Sequence, residues 1–235
     1  MQILITGTSK GLGSGLASYY LGKGYSVYGI SRTRNDKLEN YSGFYYLSCD
    51  LSDFEEMSRI IPGFLKKAGK LDLVILNAGV LSEIKDLKDC SLEEIKKVMD
   101  INLWSNKILI DLLFSNLNTV TQIVAISSGA SVYGNRGWNA YSLSKAALNM
   151  LIKLYSGEQP ETHFSAIAPG LVDSSMQDYI YSLPDDPRFP SIEKLKKSKG
   201  TSLMPGPSEA AIILANSIEK ALNEKSGIFL DVREM

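Results

Sequence analysis

Tyr141 and Lys145 stand four residues apart in the run Tyr141-Ser142-Leu143-Ser144-Lys145. On a helix that spacing puts both side chains on one face. A free tyrosine has a pKa of about 10, so its phenolate is scarce at neutral pH. An ammonium about 4 Å away would favour the phenolate by roughly 4 kcal/mol at an effective dielectric of about 20. At about 1.4 kcal/mol per pKa unit, a shift of roughly two to three units is within reach. Such a tyrosine can give a proton to a carbonyl oxygen or take one from an alcohol. A second run with chemical content is Thr6-Gly7-Thr8-Ser9-Lys10-Gly11-Leu12-Gly13. Three glycines let a turn tighten and let a pyrophosphate approach a helix N-terminus, where free N–H groups and the helix dipole favour an anion. Taken singly, the glycines also fit a turn with no ligand, and the Tyr–Lys pair a solvated helix face.

These groups need elements to hold them. Apolar runs predict strands over Gln2 to Thr6, Ser26 to Ser31, Phe44 to Leu47, Leu71 to Asn77, Gln122 to Ser127, Phe164 to Ala168 and Gly227 to Asp231. Helical spacing covers Leu12 to Lys23, Phe54 to Ala68, Leu92 to Leu117 with a kink near Asp100, Ala140 to Ser156 and Ser208 to Asn223. Nearly continuous apolar strands separated by helices predict a parallel sheet covered on both faces. The rhythm breaks over Ser174 to Pro207, which holds Pro184, Pro187, Pro190, Pro205 and Pro207 of the chain's 8 prolines. Because the alternation resumes afterwards, this stretch reads as an irregular insertion within one domain spanning residues 1–235.

Composition narrows the function. The 235 residues carry 25 Lys+Arg against 26 Asp+Glu, without the basic excess of a nucleic-acid binder. With 44% hydrophobic and 22% charged residues the chain is globular rather than disordered. Cys49 and Cys90 make no disulfide framework, and the single His163 argues against a His-based metal site, so no metal is expected. A Ser-His-Asp hydrolase would have to use that one histidine. The N-terminal apolar run reads as a buried strand rather than a leader, and no stretch approaches membrane-spanning length, so a cytoplasmic protein without membrane contact is expected.

The motifs, taken in order, resemble those of the short-chain dehydrogenase/reductase family. They are the Gly-x3-Gly-x-Gly turn, Asn77-Ala78-Gly79, Asn102 in Asp100-Ile101-Asn102-Leu103, Ser127-Ser128-Gly129, Tyr141-x-x-Ser144-Lys145, and Pro169-Gly170-Leu171-Val172-Asp173-Ser174. Ser127-Ser128-Gly129-Ala130, Gly137-Trp138-Asn139-Ala140-Tyr141 and the ending Asp231-Val232-Arg233-Glu234-Met235 further resemble its benzil reductase and sepiapterin-reductase-like branch. The resemblance implies a single doubly wound Rossmann α/β domain with a seven-stranded parallel sheet. It implies a catalytic set of Asn102, Ser128, Tyr141 and Lys145, with Ser128 chosen over Ser127 because the family's serine stands 13 residues before the tyrosine (141 − 128 = 13). Ser128 would hold the substrate oxygen, and Asn102 would support Lys145 and a water chain. A nicotinamide dinucleotide would be held by Gly7, Ser9, Lys10, Gly11, Leu12, Gly13, Arg32, Asp50, Leu51, Asn77, Ala78, Gly79, Tyr141, Lys145, Pro169, Gly170, Val172 and Ser174.

NADP is expected over NAD. The second strand ends Ile30-Ser31-Arg32-Thr33 without the carboxylate that would meet a ribose 2′-hydroxyl, while Lys10 and Arg32 can both reach a 2′-phosphate. The expected activity is NADPH-dependent reduction of a bulky or aromatic ketone, aldehyde or diketone. The alternatives are a secondary alcohol dehydrogenase and a non-catalytic NADP-binding redox sensor. Residues 174–207 would form a lid, and Tyr133, Trp138, Met176 and Tyr179 an apolar substrate site. The family implies a homodimer or homotetramer.

Overall fold

Ile3, Leu4 and Ile5 are all fully buried yet point to opposite sides of their strand, because helices cover both faces of the sheet. The computed structural model describes every residue except Asn118. Its strands are β1 (Gln2–Thr6), β2 (Ser26–Ser31), β3 (Phe44–Ser48), β4 (Leu71–Leu76), β5 (Val120–Ile126), β6 (His163–Ala168) and β7 (Ile228–Asp231). The helices are α1 (Gly11–Gly22), α2 (Phe54–Ala68), α3 (Leu92–Met99), α4 (Ser105–Asn116), α5 (Ala130–Tyr133), α6 (Asn139–Glu158), α7 (Ser175–Ser182), α8 (Pro190–Ser198) and α9 (Pro207–Ala221). All strand pairs are parallel, in the order β3-β2-β1-β4-β5-β6-β7. This is the expected seven-stranded, doubly wound sheet.

Alternation along each strand divides the core. Ile3, Ile5, Leu73 and Ile75 pack with Leu16 and Ala17 of α1 and with Ala211, Leu214 and Ile218 of α9. Leu4, Val74 and Leu76 pack with residues of α2, α4 and α6, among them Met57, Ile61, Leu109, Leu113, Leu148 and Ile152. A side chain at Gly15 would run into the Pro207 carbonyl, so this glycine lets α1 and α9 approach closely. Strand order reverses between β1 and β4, which opens a crevice beyond their carboxyl ends.

Three expectations change in detail. The predicted kink near Asp100 is a π-helical turn over Asp100–Trp104 that separates α3 from α4. The fifth strand begins at Val120, two residues earlier than the apolar run suggested. The stretch 174–207 is not irregular, since it contains α7 and α8. Its prolines fall where helices tolerate them: Pro190 and Pro207 open α8 and α9, and Pro184, Pro187 and Pro205 lie between helices. Helices of 8 and 9 residues carry too few turns for a clear period.

Candidate active site

The crevice begins with a knot between the first and fourth strands. Thr6 Oγ1 accepts from the Asn77 and Ala78 amides, both at 3.0 Å, and Asn77 Nδ2 donates to the Thr6 carbonyl at 2.9 Å. Gly7 at φ +77° takes a backbone conformation that other residues resist. A side chain on Gly13 would collide with the Gly7 carbonyl and the Asn77 amide. Helix α1 then starts without a side-chain cap and without an acidic residue in its first turn. Its leading N–H groups are therefore left to an outside acceptor, and the bare backbone lets a pyrophosphate come close. A dinucleotide fits this cradle.

At the adenosine end, the Arg32 side chain is 69% exposed and lies 4.0 Å from the Asp50 carboxylate. Asp50 Oδ1 accepts from the Ser52 amide at 2.9 Å and the Ser52 hydroxyl at 2.8 Å. The Ser52 amide hydrogen bond leads in holding Asp50 below its ordinary pKa, with the Ser52 hydroxyl and Arg32 adding to it. So long and exposed an ion pair holds Arg32 only loosely.

At the other end, α6 presents Tyr141 and Lys145, both buried. Lys145 Nζ donates to the Ile126 carbonyl at 2.7 Å and stands 5.8 Å from the centroid of the Tyr141 ring. Burial lowers the Lys145 pKa to about 8. Tyr141 does not show the depression expected from a lysine nearby. Burial pushes its phenol up, and the Ser128 hydroxyl pulls it partly back. At neutral pH the phenol is protonated. Ser128 and Ser127 separate as the strand alternation requires: Ser127 turns away and donates to Asn149 Oδ1 at 2.5 Å. Asn102 sits in the π-helical turn, fully buried. Its Oδ1 accepts from the Val80 amide at 2.8 Å, and its Nδ2 donates to the Val80 carbonyl at 2.9 Å and to Ser144 Oγ at 3.0 Å. Asn102 thus ties the turn after β4 to α6 from behind. A side chain on Gly79 would stand 3.2 Å from Asn102 Oδ1 and 3.4 Å from Lys145 Nζ, so that glycine keeps the two close.

All residues assigned to the dinucleotide, together with Ser128, line one cleft of about 450 Å³. Trp138 and Met176 line it too. Trp138 Nε1 donates to Ser191 Oγ at 2.8 Å, and its ring centroid is 5.9 Å from that of Tyr141, so it joins the 174–207 segment to the catalytic wall. Tyr133 and Tyr179 do not line the cleft. Tyr133 is 57% exposed, at the end of the short helix α5, and the Tyr179 hydroxyl is engaged by the Ile84 amide at 3.0 Å. The sequence reasoning missed Leu81, Leu171, Gln177, Ile180 and Leu195, which all line the cleft. Leu81 and Leu171 flank motifs already singled out. Gln177 had a signal as well, since Ser174-Ser175-Met176-Gln177 is a helix-start signature.

Fold and site together define an oxidoreductase of the nucleotide-binding α/β type. Residues 1–183 match the family profile described as short chain dehydrogenase, and the chain belongs to that family, whose members bind nicotinamide cofactors. Among curated relatives, it is 34% identical over 238 residues to a benzil reductase ((S)-benzoin forming) of Saccharomyces cerevisiae, covering 94% of this chain and 90% of that one. It is 30% identical over 242 residues to a benzil reductase ((S)-benzoin forming) of Bacillus subtilis, covering 98% of each. Among solved structures, the YIR035C short chain dehydrogenase/reductase of Saccharomyces cerevisiae aligns with TM-score 0.86 and 27% identity, over 98% of this chain and 95% of that one. Among the described residues, no helix is long and apolar enough to cross a membrane.

Proposed function

We propose that this protein reduces a ketone or aldehyde with NADPH, and that aromatic or bulky carbonyls, vicinal diketones among them, are its substrates. The observation that carries this reading is the catalytic wall itself: a buried, protonated Tyr141 beside Ser128, with Lys145 behind it, facing a cleft whose far end is a dinucleotide cradle. Two relatives named for benzil reduction support the substrate class.

NADPH held by the glycine turn, Asn77-Ala78-Gly79 and the segment Pro169 to Ser174 supplies a hydride to the carbonyl carbon. The chain supplies everything else. Ser128 Oγ donates to the carbonyl oxygen and fixes its position. Tyr141 gives its hydroxyl proton to that oxygen as negative charge develops, which completes an alcohol. Lys145, held by the Ile126 carbonyl, favours the phenolate left on Tyr141. Asn102 acts through others, by positioning Gly79 and α6. Trp138 and Met176 supply apolar wall. The protonated Tyr141 favours reduction over alcohol oxidation, because reduction needs the proton already in place. A redox sensor without chemistry would have no use for Tyr141, Ser128 and Lys145 gathered at the cleft.

Lys10 and Arg32 carry the choice of NADPH, as cations within the cleft that can take a 2′-phosphate. Leu143, Met150 and Leu154 stand exposed on α6, and we assign that face to a homodimer or homotetramer contact. A cytoplasmic location fits two unpaired cysteines. The test is a panel of ketones, aldehydes and diketones offered with NADPH and, separately, with NADH. NADPH oxidation that depends on an aromatic or bulky carbonyl supports the reading. Turnover with alcohols and NAD alone contradicts it.

A further inference from the structure

Two helices of this chain begin with the same signature and treat it differently. Helix α3 begins Ser91-Leu92-Glu93-Glu94, and its capping box is closed: Ser91 Oγ accepts from the Glu94 amide at 3.2 Å, and Glu94 Oε2 accepts from the Ser91 amide at 2.8 Å. Helix α7 begins Ser174-Ser175-Met176-Gln177, of the same length and with the same Ser-x-x-Glu/Gln spacing, yet Ser174 makes no side-chain cap. The Gln177 amide N–H goes instead to the Ser174 carbonyl at 2.7 Å. Gln177 Oε1 is buried without any hydrogen-bond partner. A buried polar atom left unpaired costs stability, and such atoms are few in folded proteins. Here the unpaired amide belongs to a residue that lines the cleft together with Ser128, Trp138 and Tyr141. The local partner it could have taken, the head of its own helix, is unused.

We infer that Gln177 is a specificity-determining residue whose carboxamide binds a second oxygen on the substrate, on the carbon next to the reacting carbonyl. The substrate class is then the 1,2-dicarbonyl or 2-hydroxy ketone rather than the simple ketone. A carboxamide carries both a donor and an acceptor, so Gln177 can donate to a neighbouring carbonyl or accept from a neighbouring hydroxyl. The rest of the substrate wall, Trp138, Met176, Leu81, Leu171 and Ile180, is apolar apart from the Trp138 N–H, and that is already given to Ser191. Sites built around one buried polar group discriminate strongly against analogues that leave it unpaired.

The inference rests on the carbonyl-reductase reading, and its test separates the two. NADPH turnover is measured with 1-phenyl-1,2-propanedione and with propiophenone, which lacks the second oxygen, for wild type, Gln177→Met and Gln177→Glu. Met keeps the length and helix propensity without polar atoms, and Glu keeps the shape but cannot donate when ionised. The expected result is a fall of about tenfold or more in the diketone-to-monoketone ratio of kcat/KM in both variants. Melting temperature and NADPH affinity, read by fluorescence titration, should stay near wild type. An unchanged ratio overturns the inference. So does a ratio held constant while NADPH binding weakens, which would assign the amide to the cofactor. A wild-type protein that reduces neither ketone instead sinks the carbonyl-reductase reading, and this inference with it.

Discussion

The two ends of the cleft are built by different rules. The cradle after β1 rests on backbone: Gly7 at positive φ, Gly13 under the Gly7 carbonyl, and Asn77 fastened to Thr6. The 174–207 segment rests on side chains. Ile180, Phe189, Ile192, Leu195 and Met204 form their own small core with Ile84, separate from the cores on either face of the sheet. Backbone constraints leave little freedom, because one added carbon fails. A satellite cluster admits many apolar solutions and can shift as a unit. The cradle can therefore be common to a whole family, while the segment over the substrate sets what each member accepts.

The sharpest way to break this contrast is at Gly13. Gly13→Val drives a branched side chain into the Gly7 carbonyl and the Asn77 amide. We expect cofactor affinity to fall roughly a hundredfold or more, on the scale of the strain that overpacking stores. By contrast, Ile192→Val within the satellite cluster should leave affinity within about twofold, because one methylene in a small core costs roughly 1 kcal/mol of stability and does not touch the cradle. Fluorescence titration with NADPH reads both, and equal losses would erase the distinction.

The catalytic wall has a pH signature of its own. The folded-state pKa of Lys145 is about 8, below its model-compound value of 10.5. A depressed lysine pKa contributes stability that is present above the unfolded value and is lost as pH falls through the folded one. Wild type should therefore gain on the order of 3 kcal/mol relative to Lys145→Met between about pH 7 and pH 10.5. The difference between the two proteins isolates Lys145 from the tyrosines that titrate at high pH. Urea midpoints across that range measure it, and parallel curves would remove Lys145 from the buried charge balance.

Arg32 tests the outer end of the cradle. Arg32→Ala should lower the NADPH-to-NADH ratio of kcat/KM roughly tenfold, by weakening NADPH alone. A loss shared by both cofactors would mean that Arg32 supports the fold through Asp50. The smallest effect concerns mobility. Limited proteolysis should cut first within 174–207, at the exposed Lys194 or Lys199, and NADP with a carbonyl ligand should slow that cut. Cutting that ignores both ligands would make the segment an ordinary surface.

The same contrast explains what could be read from residues alone. Strand and helix positions followed from apolar periodicity, and the cradle and the Tyr141–Lys145 pair from short-range spacing. The kink near Asp100 was legible and its π-helical form was not, because the bulge is set by Asn102 reaching Val80, 22 residues away. Helices α7 and α8 stayed hidden because their apolar faces are answered by distant residues, as in Phe189 against Ile84 and Gly137. Tyr133 and Tyr179 were misjudged for a related reason. Aromatic type suggested a substrate wall, but only packing shows that one is exposed and the other is bonded to the Ile84 amide. The expected lowering of the Tyr141 pKa assumed a lysine about 4 Å away, whereas Lys145 turns its Nζ to the Ile126 carbonyl.

The central claim is that Tyr141 delivers the proton to a carbonyl held by Ser128. Tyr141→Phe removes that hydroxyl and keeps the ring packed beside Trp138. Single-turnover and steady-state NADPH oxidation with a diketone should show kcat reduced by about 10²–10⁴-fold, with the NADPH dissociation constant unchanged. A Tyr141→Phe protein that keeps more than about a tenth of wild-type kcat would contradict the account, since general acid catalysis would then come from elsewhere.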